Sequence, residues 1–306
     1  MTLAPIVIFS YNRPNHLQRV LDALAKNELA DQSELFIYCD GAKQNAPAEQ
    51  VEAVAQNCQV AHAATGFKSV TVIKRPTNIG LRANIVGAVT EIVNKYGRII
   101  TLEDDIITSP GFLRFMNDAL ECYKDEDRVM HVSAYFYKNN KTLPETFFYQ
   151  VPYPGGGWGT WARAWKHYSD DTESLYNYWS KRWDDFNIYG GTSLQQQLED
   201  NYTGKLNTWF IKWYAIMRLR NGLSLYPTKS FTTNIGFDGS GSNCFVSNKF
   251  YIEVDQLQQH VTVTRIPLKV NKKAFRIAKV FKSGHWYSKR NIKEYIKKVL
   301  SHLKRS

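Results

Sequence analysis

No stretch of the 306-residue sequence reaches 18 uninterrupted apolar residues, and none of its four cysteines belongs to a CxxC pair. The first absence removes any segment long enough to cross a bilayer as a helix. The second, with Cys39, Cys58, Cys122 and Cys244 far apart, predicts reduced thiols in a cytosolic protein. HExxH and clustered Cys/His sets are also missing, which gives a zinc site little support. Neither GxxxxGKS/T nor a GxGxxG after the first apolar run occurs, so P-loop and dinucleotide-binding readings lack their fingerprints. The opening MTLAPIVIF is apolar but carries no basic leader or cleavage site, and no signal peptide is expected. Ten prolines and 18 glycines are too few for a collagen-like or low-complexity chain.

What is present is a core-forming composition with lopsided charge. Hydrophobic residues make up 43% and aromatics 14%, enough for one large domain or two tightly joined lobes. The net charge is +11, from 39 Lys/Arg and 28 Asp/Glu. Residues 261–306 hold 14 Lys/Arg and one acid, leaving 25 and 27 in residues 1–260, a body of net −2. Basicity is therefore C-terminal, which argues against a nucleic-acid-binding surface spread over the body.

The first half alternates short Ile/Val-rich runs with helical spacing. Strands are expected at Pro5–Phe9, Glu34–Tyr38, Val70–Ile73 and Arg98–Leu102. Between them, Leu17, Val20, Leu21 and Leu24 fall on one helical face behind an Asn15 cap, as do Ile85, Ala88, Val89, Ile92 and Tyr96. This pattern predicts an α/β fold with a mostly parallel central sheet flanked by helices. The second half is aromatic: 14 of the 43 residues from Phe147 to Tyr189 are Phe, Tyr or Trp. They read mostly as core beneath a second lobe, with some rings in a cleft and Trp158 held at a rim by an exposed Gly155–Gly159 turn.

Ligands of parallel α/β sheets sit beyond the C-terminal strand ends. Four polar segments fall there: Ser10–Arg13, Cys39–Gly41, Lys74–Gly80 and Glu103–Asp105. Three consecutive acids could simply face solvent. Adjacent carboxylates repel unless a cation compensates them, however, and their oxygens suit Mg²⁺ or Mn²⁺ when phosphates complete the shell. Arg13 and Asp40, at neighbouring strand ends, frame a nucleotide, with guanidinium toward phosphate and carboxylate toward base or ribose. The stretch Arg75–Asn84 adds two arginines and two asparagines at the same edge. Together they describe a nucleotide diphosphate near a divalent cation.

In this order, SYNRP, CDG, RPTNIGLR and LEDD resemble the nucleotide-diphosphosugar glycosyltransferases of the GT-A fold. The closer likeness is to bacterial polysaccharide and lipopolysaccharide sugar transferases. The chain also resembles the eukaryotic N-acetylglucosaminyltransferases of N-glycans and protein O-mannose, over about residues 4–245. The resemblance implies an inverting, metal-dependent transfer from a UDP-sugar, with a lean toward GlcNAc, to a glycan hydroxyl. It places Mn²⁺ or Mg²⁺ on Asp105, phosphates near Arg13 and the nucleoside near Asp40. Ser10, Asn78, Arg82, Glu103 and Asp104 complete the donor site. Ser133–Tyr135 resembles the family's segment after the next strand. The PGGGW turn and Trp209 are carried over as acceptor-side, through Gly157, Trp158 and Trp209. Tyr226–Gly236 resembles the block leading to a lid, here residues 236–245. The implied organisation is a nucleotide-sugar half at 1–128, an acceptor and catalytic half at 129–260, and a basic amphipathic tail at 261–306.

One position departs from the family. Where the relatives carry an Asp general base in a D-x-W context, this sequence reads Asn207-Thr208-Trp209. An amide can orient a hydroxyl but is a very poor base. Three readings stay open: an Asp-to-Asn variant, another recruited acid, or a different register with Asp184 or Asp185 of Trp183-Asp184-Asp185-Phe186 as the base. Asn243 likewise stands where a relative's lid carries His. A non-catalytic glycan- or nucleotide-binding protein on the same fold and a nucleotidyltransferase are the alternatives.

In the tail, Ile292, Tyr295, Ile296, Val299, Leu300 and Leu303 share one helical face, with lysines over much of the rest. The expectation is either a docked final helix or a peripheral anchor on the anionic inner leaflet of a bacterial plasma membrane, with Trp286 and Tyr287 at headgroup level. The anchor suits a lipid-linked glycan acceptor. Nucleic acid is not an expected partner.

Overall fold

A computed structural model describes residues 2–189, 192–240 and 250–282. Half of the expected lid, with Asn243, and the amphipathic stretch with Trp286 and Tyr287 lie outside the described residues. The first half runs β1 (Ile6–Ser10), α1 (Pro14–Leu24), β2 (Glu34–Cys39), α2 (Ala48–His62), β3 (Ser69–Lys74), α3 (Gly80–Tyr96), β4 (Arg98–Glu103), β5 (Ile106–Thr108) and α4 (Phe112–Cys122). The second continues β6 (Val129–Ser133), β7 (Thr146–Tyr149), β8 (Trp158–Trp161), α5 (Ala162–Trp165), α6 (Thr172–Trp179), α7 (Trp183–Phe186) and α8 (Ser193–Tyr202). It ends α9 (Phe210–Leu219), β9 (Leu223–Pro227), β10 (Thr232–Asn234) and α10 (Lys272–Lys282).

Eight strands form one sheet in the order β3-β2-β1-β4-β8-β6-β9-β7, and β10 pairs with β5 beside it. The first four are mutually parallel; β8 runs antiparallel to both β4 and β6, and β7 antiparallel to β9. All five residues of β1 are buried, because helices cover both faces, and this is why its sequence is an uninterrupted apolar run. The register sets Phe9 beside Tyr38 and Glu103, so β1, β2 and β4 end together.

Helix α1 starts two residues earlier than an Asn15 cap requires. Pro14 occupies the first turn, where its missing N–H costs nothing, and Arg13 takes the N-cap position. That placement turns Arg13 toward the strand ends.

The Gly155–Gly157 turn is not exposed, and Trp158 is not at a rim. Trp158 is 3% exposed, lies in β8 between β4 and β6, and stacks on His131 and Trp209 with centroids 5.3 and 5.0 Å away. Gly156 and Gly157 are buried, so closely that a Cβ on Gly156 would overlap Tyr135, and Gly157 adopts φ +74° with Leu102 and Phe112 about it. Most of the aromatic run is core, as Trp161, Trp165 and Trp179 are buried. At the C-terminal end, Val270 bridges to Phe148 and α10 buries Ala274, Ala278 and Phe281, so residues 270–282 are packed on the body.

Candidate functional site

The loops after β1, β2 and β4 enclose a cleft of about 360 Å³ lined by Ser10–Arg13, Asp40, Asn78, Gly80 and Glu103–Asp105, among others. Arg13 is its electrostatic centre. Its Nη2 donates to Asp104 Oδ1 and, at 3.0 Å, to Asp105 Oδ2, while Tyr11 N–H donates to Asp104 Oδ2 at 3.3 Å. Both aspartates are buried. Burial, followed by the charges of Asp105 and Asp104 and opposed by Arg13, pushes Glu103 up to about 8. Burial raises Asp104 to about 6 against the pull of Arg13. Burial alone would lower Arg13, but the two aspartates outweigh it and hold the guanidinium charged. Arg13 thus faces the three acids at the end of β4, and with Asp40 as a fourth acid and Lys43 as the other cation of the lining the site is short of positive charge.

Asp105 holds its second oxygen in reserve. Oδ1 is buried and has no hydrogen-bond partner among the described residues. The backbone of Asp105 accepts from Ile235 N–H at 2.9 Å, which brings Gly236 onto the carboxylate. A Cβ on Gly236 would overlap Asp105 Oδ2 and lie 2.9 Å from Arg13 Nη1. Only glycine fits there. Among the described residues no three His, Cys, Asp or Glu side chains group into a metal cage. The donor set instead fits an ion held by one carboxylate oxygen and completed by substrate phosphates.

Asp40 is used structurally. Its Oδ1 accepts from Gly41 and Ile79 N–H at 3.0 and 2.9 Å, and Oδ2 from Gly80 N–H at 2.9 Å, which caps α3. Asn78 Nδ2 donates to Gly41 O at 2.9 Å, and Asn57 Nδ2 to Ser10 Oγ at 2.8 Å. A carboxylate has about four acceptor positions, so Asp40 keeps one for a ligand.

Arg82, in the first turn of α3, pairs with Asp170. Asp170 also accepts from Tyr168 Oη at 2.9 Å and from Lys212 Nζ at 3.2 Å. Lys212 is buried in the first turn of α9, so this carboxylate ties the cleft edge to the helix that follows Asn207. Asn207 itself is exposed on the loop before α9 and does not line the cleft. Its loop is closed by Asn201, whose Oδ1 accepts from Thr208 N–H at 2.8 Å. Beside it, Tyr202 is 44% exposed and stacks flat on Tyr176, with centroids 4.1 Å apart.

Asp184 and Asp185 are exposed on α7, where Asp185 O accepts from Arg218 near the other end of α9. The structure therefore brings Ser10, Arg13, Asp40, Asn78, Glu103, Asp104 and Asp105 together, and Arg82 to their edge. It leaves Trp158 and Trp209 stacked in the core and Asp184 at a distance. Sequence reasoning missed Asp170, Lys212, Gly236 and Tyr202. Of these, only Gly236 carried a local signal, as the last residue of the block before the lid.

Comparison with known proteins gives one family. Residues 6–178 match Glycosyl transferase family 2. No curated protein matches. Among solved structures, the chain is similar to S. aureus TarS at 16% identity and a TM-score of 0.31, over 47% of this chain and 23% of that one. The chain thus spans about a quarter of that protein's length.

Proposed function

The chain belongs to glycosyl transferase family 2, and on that premise we propose that it is an inverting, divalent-metal-dependent enzyme. It moves a sugar, with a lean toward GlcNAc, from a UDP-sugar to a glycan hydroxyl in cell-surface polysaccharide or lipopolysaccharide synthesis. The observation that carries this reading is the cleft in which Arg13 offsets two buried aspartates while Asp105 Oδ1 stays unpartnered.

In this reading Asp105, with the donor's phosphates, would hold Mn²⁺ or Mg²⁺, which would supply positive charge to offset that of the leaving diphosphate. Arg13 faces the phosphates, and the remaining acceptor position of Asp40, beside the α3 N-terminus, takes the nucleoside. Ser10, Asn78, Glu103 and Asp104 shape the pocket around them, and Arg82 closes its edge. Gly236 lets its own backbone lie against Asp105 and Arg13. On the acceptor side, the Tyr202–Tyr176 stack offers a flat face to a sugar ring. Gly157 and the stacked Trp158 and Trp209 serve the acceptor side from within the core. The acceptor oxygen attacks C1, the C1–O bond to the diphosphate breaks, and the hydroxyl proton must leave. Asn207 orients that hydroxyl without accepting the proton, which passes to solvent water instead of a positioned base, so turnover is slow in the chain as it stands.

The basic residues after 282 suit an anionic inner-leaflet surface and a lipid-linked acceptor. Among the described residues no helix is long and apolar enough to cross a membrane.

The test is UDP release from UDP-GlcNAc, UDP-galactose and UDP-glucose in Mn²⁺, with and without a mixture of bacterial glycan acceptors. Acceptor-stimulated release from one donor is expected. Normal UDP binding with no release from any donor, even in Asn207→Asp, would favour a non-catalytic binding protein.

A further inference from the structure

A second cleft, larger than the first at about 740 Å³, lies at the other end of the sheet. It opens where β6 begins, beside α5 and the C-terminal end of α9. Since β6 and β4 run the same way, this is the N-terminal edge of the strands. A six-residue strand at about 3.3 Å per residue separates it from the donor cleft by roughly 20 Å.

Its lining is cationic. Arg128, Arg163, Lys166, His167 and Arg220 face Asp127 and Asp171, over an apolar wall of Met130, Leu175, Ile216 and Leu219. None of the four Lys/Arg side chains forms an ion pair among the described residues, unlike Arg13 and Arg82. Of the two acids, Asp171 is engaged in capping α6, accepting from Ser174 N–H at 3.0 Å. Asp125 and Glu126 sit in the same turn as Asp127, and the carboxylate of Glu126 accepts from Arg128 N–H at 3.3 Å.

Arg163 is held ready. Its Nε and Nη2 donate to Lys124 O and Tyr123 O at 2.6 and 2.7 Å, and the guanidinium lies over the Trp161 ring at 4.4 Å. Its Nη1 is buried and has no partner among the described residues. Leaving a buried, charged donor unsatisfied is costly, and an anion on Nη1 removes that cost. Burial lowers the Arg163 pKa against the pull of Asp127, Glu126 and Asp125, in keeping with a cation that lacks its counter-ion.

We propose that this cleft is a second anion site, in which Arg163, Lys166 and Arg220 hold a phosphate-bearing ligand distinct from the sugar donor. The apolar wall admits a ligand with a hydrocarbon or sugar portion next to its phosphate. The phosphate belongs either to a soluble metabolite or to a lipid headgroup, and the chemistry of recognition is the same.

The test uses the whole chain at low salt, with excess UDP filling the donor cleft, and titrates inorganic pyrophosphate by calorimetry. Lys166→Gln combined with Arg220→Gln removes two exposed cations without touching the core. It should weaken pyrophosphate binding roughly tenfold while leaving UDP affinity unchanged. Arg163→Gln should weaken it similarly. Sedimentation with phosphatidylglycerol vesicles, against phosphatidylcholine controls, separates the sources. Loss of sedimentation in the double variant assigns the phosphate to a headgroup, whereas loss of pyrophosphate binding alone assigns it to a soluble ligand. If UDP abolishes pyrophosphate binding, or the double variant matches the parent in both measurements, the proposal is wrong. Should UDP itself fail to bind, the donor-site reading falls, yet the double variant still reports on this cleft.

Discussion

Replacing Glu103 by Gln should stabilise the protein at alkaline pH and do almost nothing at acidic pH. Glu103 ends β4 beside Asp104 and Asp105, and its pKa is raised to about 8 by burial and by those two charges. An unfolded Glu titrates near 4.3–4.5. Between these values the folded state keeps a proton that the unfolded state has lost. Folded stability therefore falls as pH rises, by about 1.4 kcal/mol per unit. From pH 5 to pH 8 the accumulated loss is at most about 3.5 kcal/mol. Gln mimics the protonated side chain at every pH and escapes this loss. Urea denaturation of both forms at pH 5 and pH 8 gives the difference directly. The stability of Glu103→Gln relative to the parent should climb by a few kcal/mol over the interval. Mn²⁺ with UDP should shrink the gap at pH 8 by neutralising the acids. A difference that is constant with pH, or that shrinks as pH rises, would refute the assignment of a strained acid cluster.

Three further outcomes follow from the geometry. Gly236→Ala pushes a methyl group into Asp105 Oδ2 and against Arg13 Nη1. It should lower UDP affinity at least tenfold and cost about 1–3 kcal/mol of stability, read by calorimetry and denaturation; unchanged affinity would separate Gly236 from the donor site. Asn207→Asp should raise initial transfer rates by about 10²- to 10⁴-fold, with an acidic limb in the pH profile and little change in donor affinity. An unchanged rate, together with loss of activity in Asp184→Asn, would move the base to the α7 segment. Asp170→Asn leaves the buried Lys212 ammonium without its carboxylate and should cost about 1–3 kcal/mol. It should also loosen α9 from α3, visible as faster amide exchange in the first turn of α9 alone; uniform exchange would contradict the tether.

The strand ends were legible because the signal is local. A buried parallel strand is an apolar run, and the first polar residues after β1, β2 and β4 must emerge on one edge of the sheet. Ser10–Arg13, Asp40 and Glu103–Asp105 accordingly fell into one cleft. The ordering within that cleft was less legible. Pro14 fixes the helix start ahead of Asn15, and two of the three backbone donors that occupy Asp40 come from a turn 39–40 residues away. Aromatic density announced a core but not which ring faces what. Trp158 is internal because β8 inserts between β4 and β6, a pairing that no local pattern in the glycine-rich turn encodes. The Arg82–Asp170–Lys212 bridge spans 88 and 42 residues, so its charges meet only through the packing of α3 against the second half.

The central claim is that this cleft binds a nucleotide diphosphate through a divalent cation on Asp105. Calorimetric titration of UDP into the protein, in Mn²⁺ and in EDTA, with Asp105→Asn alongside, tests it most directly. Mn²⁺ should tighten UDP binding at least tenfold in the parent and have no effect in Asp105→Asn. Equal affinity with and without metal in the parent, or an undiminished metal effect in the variant, would contradict it.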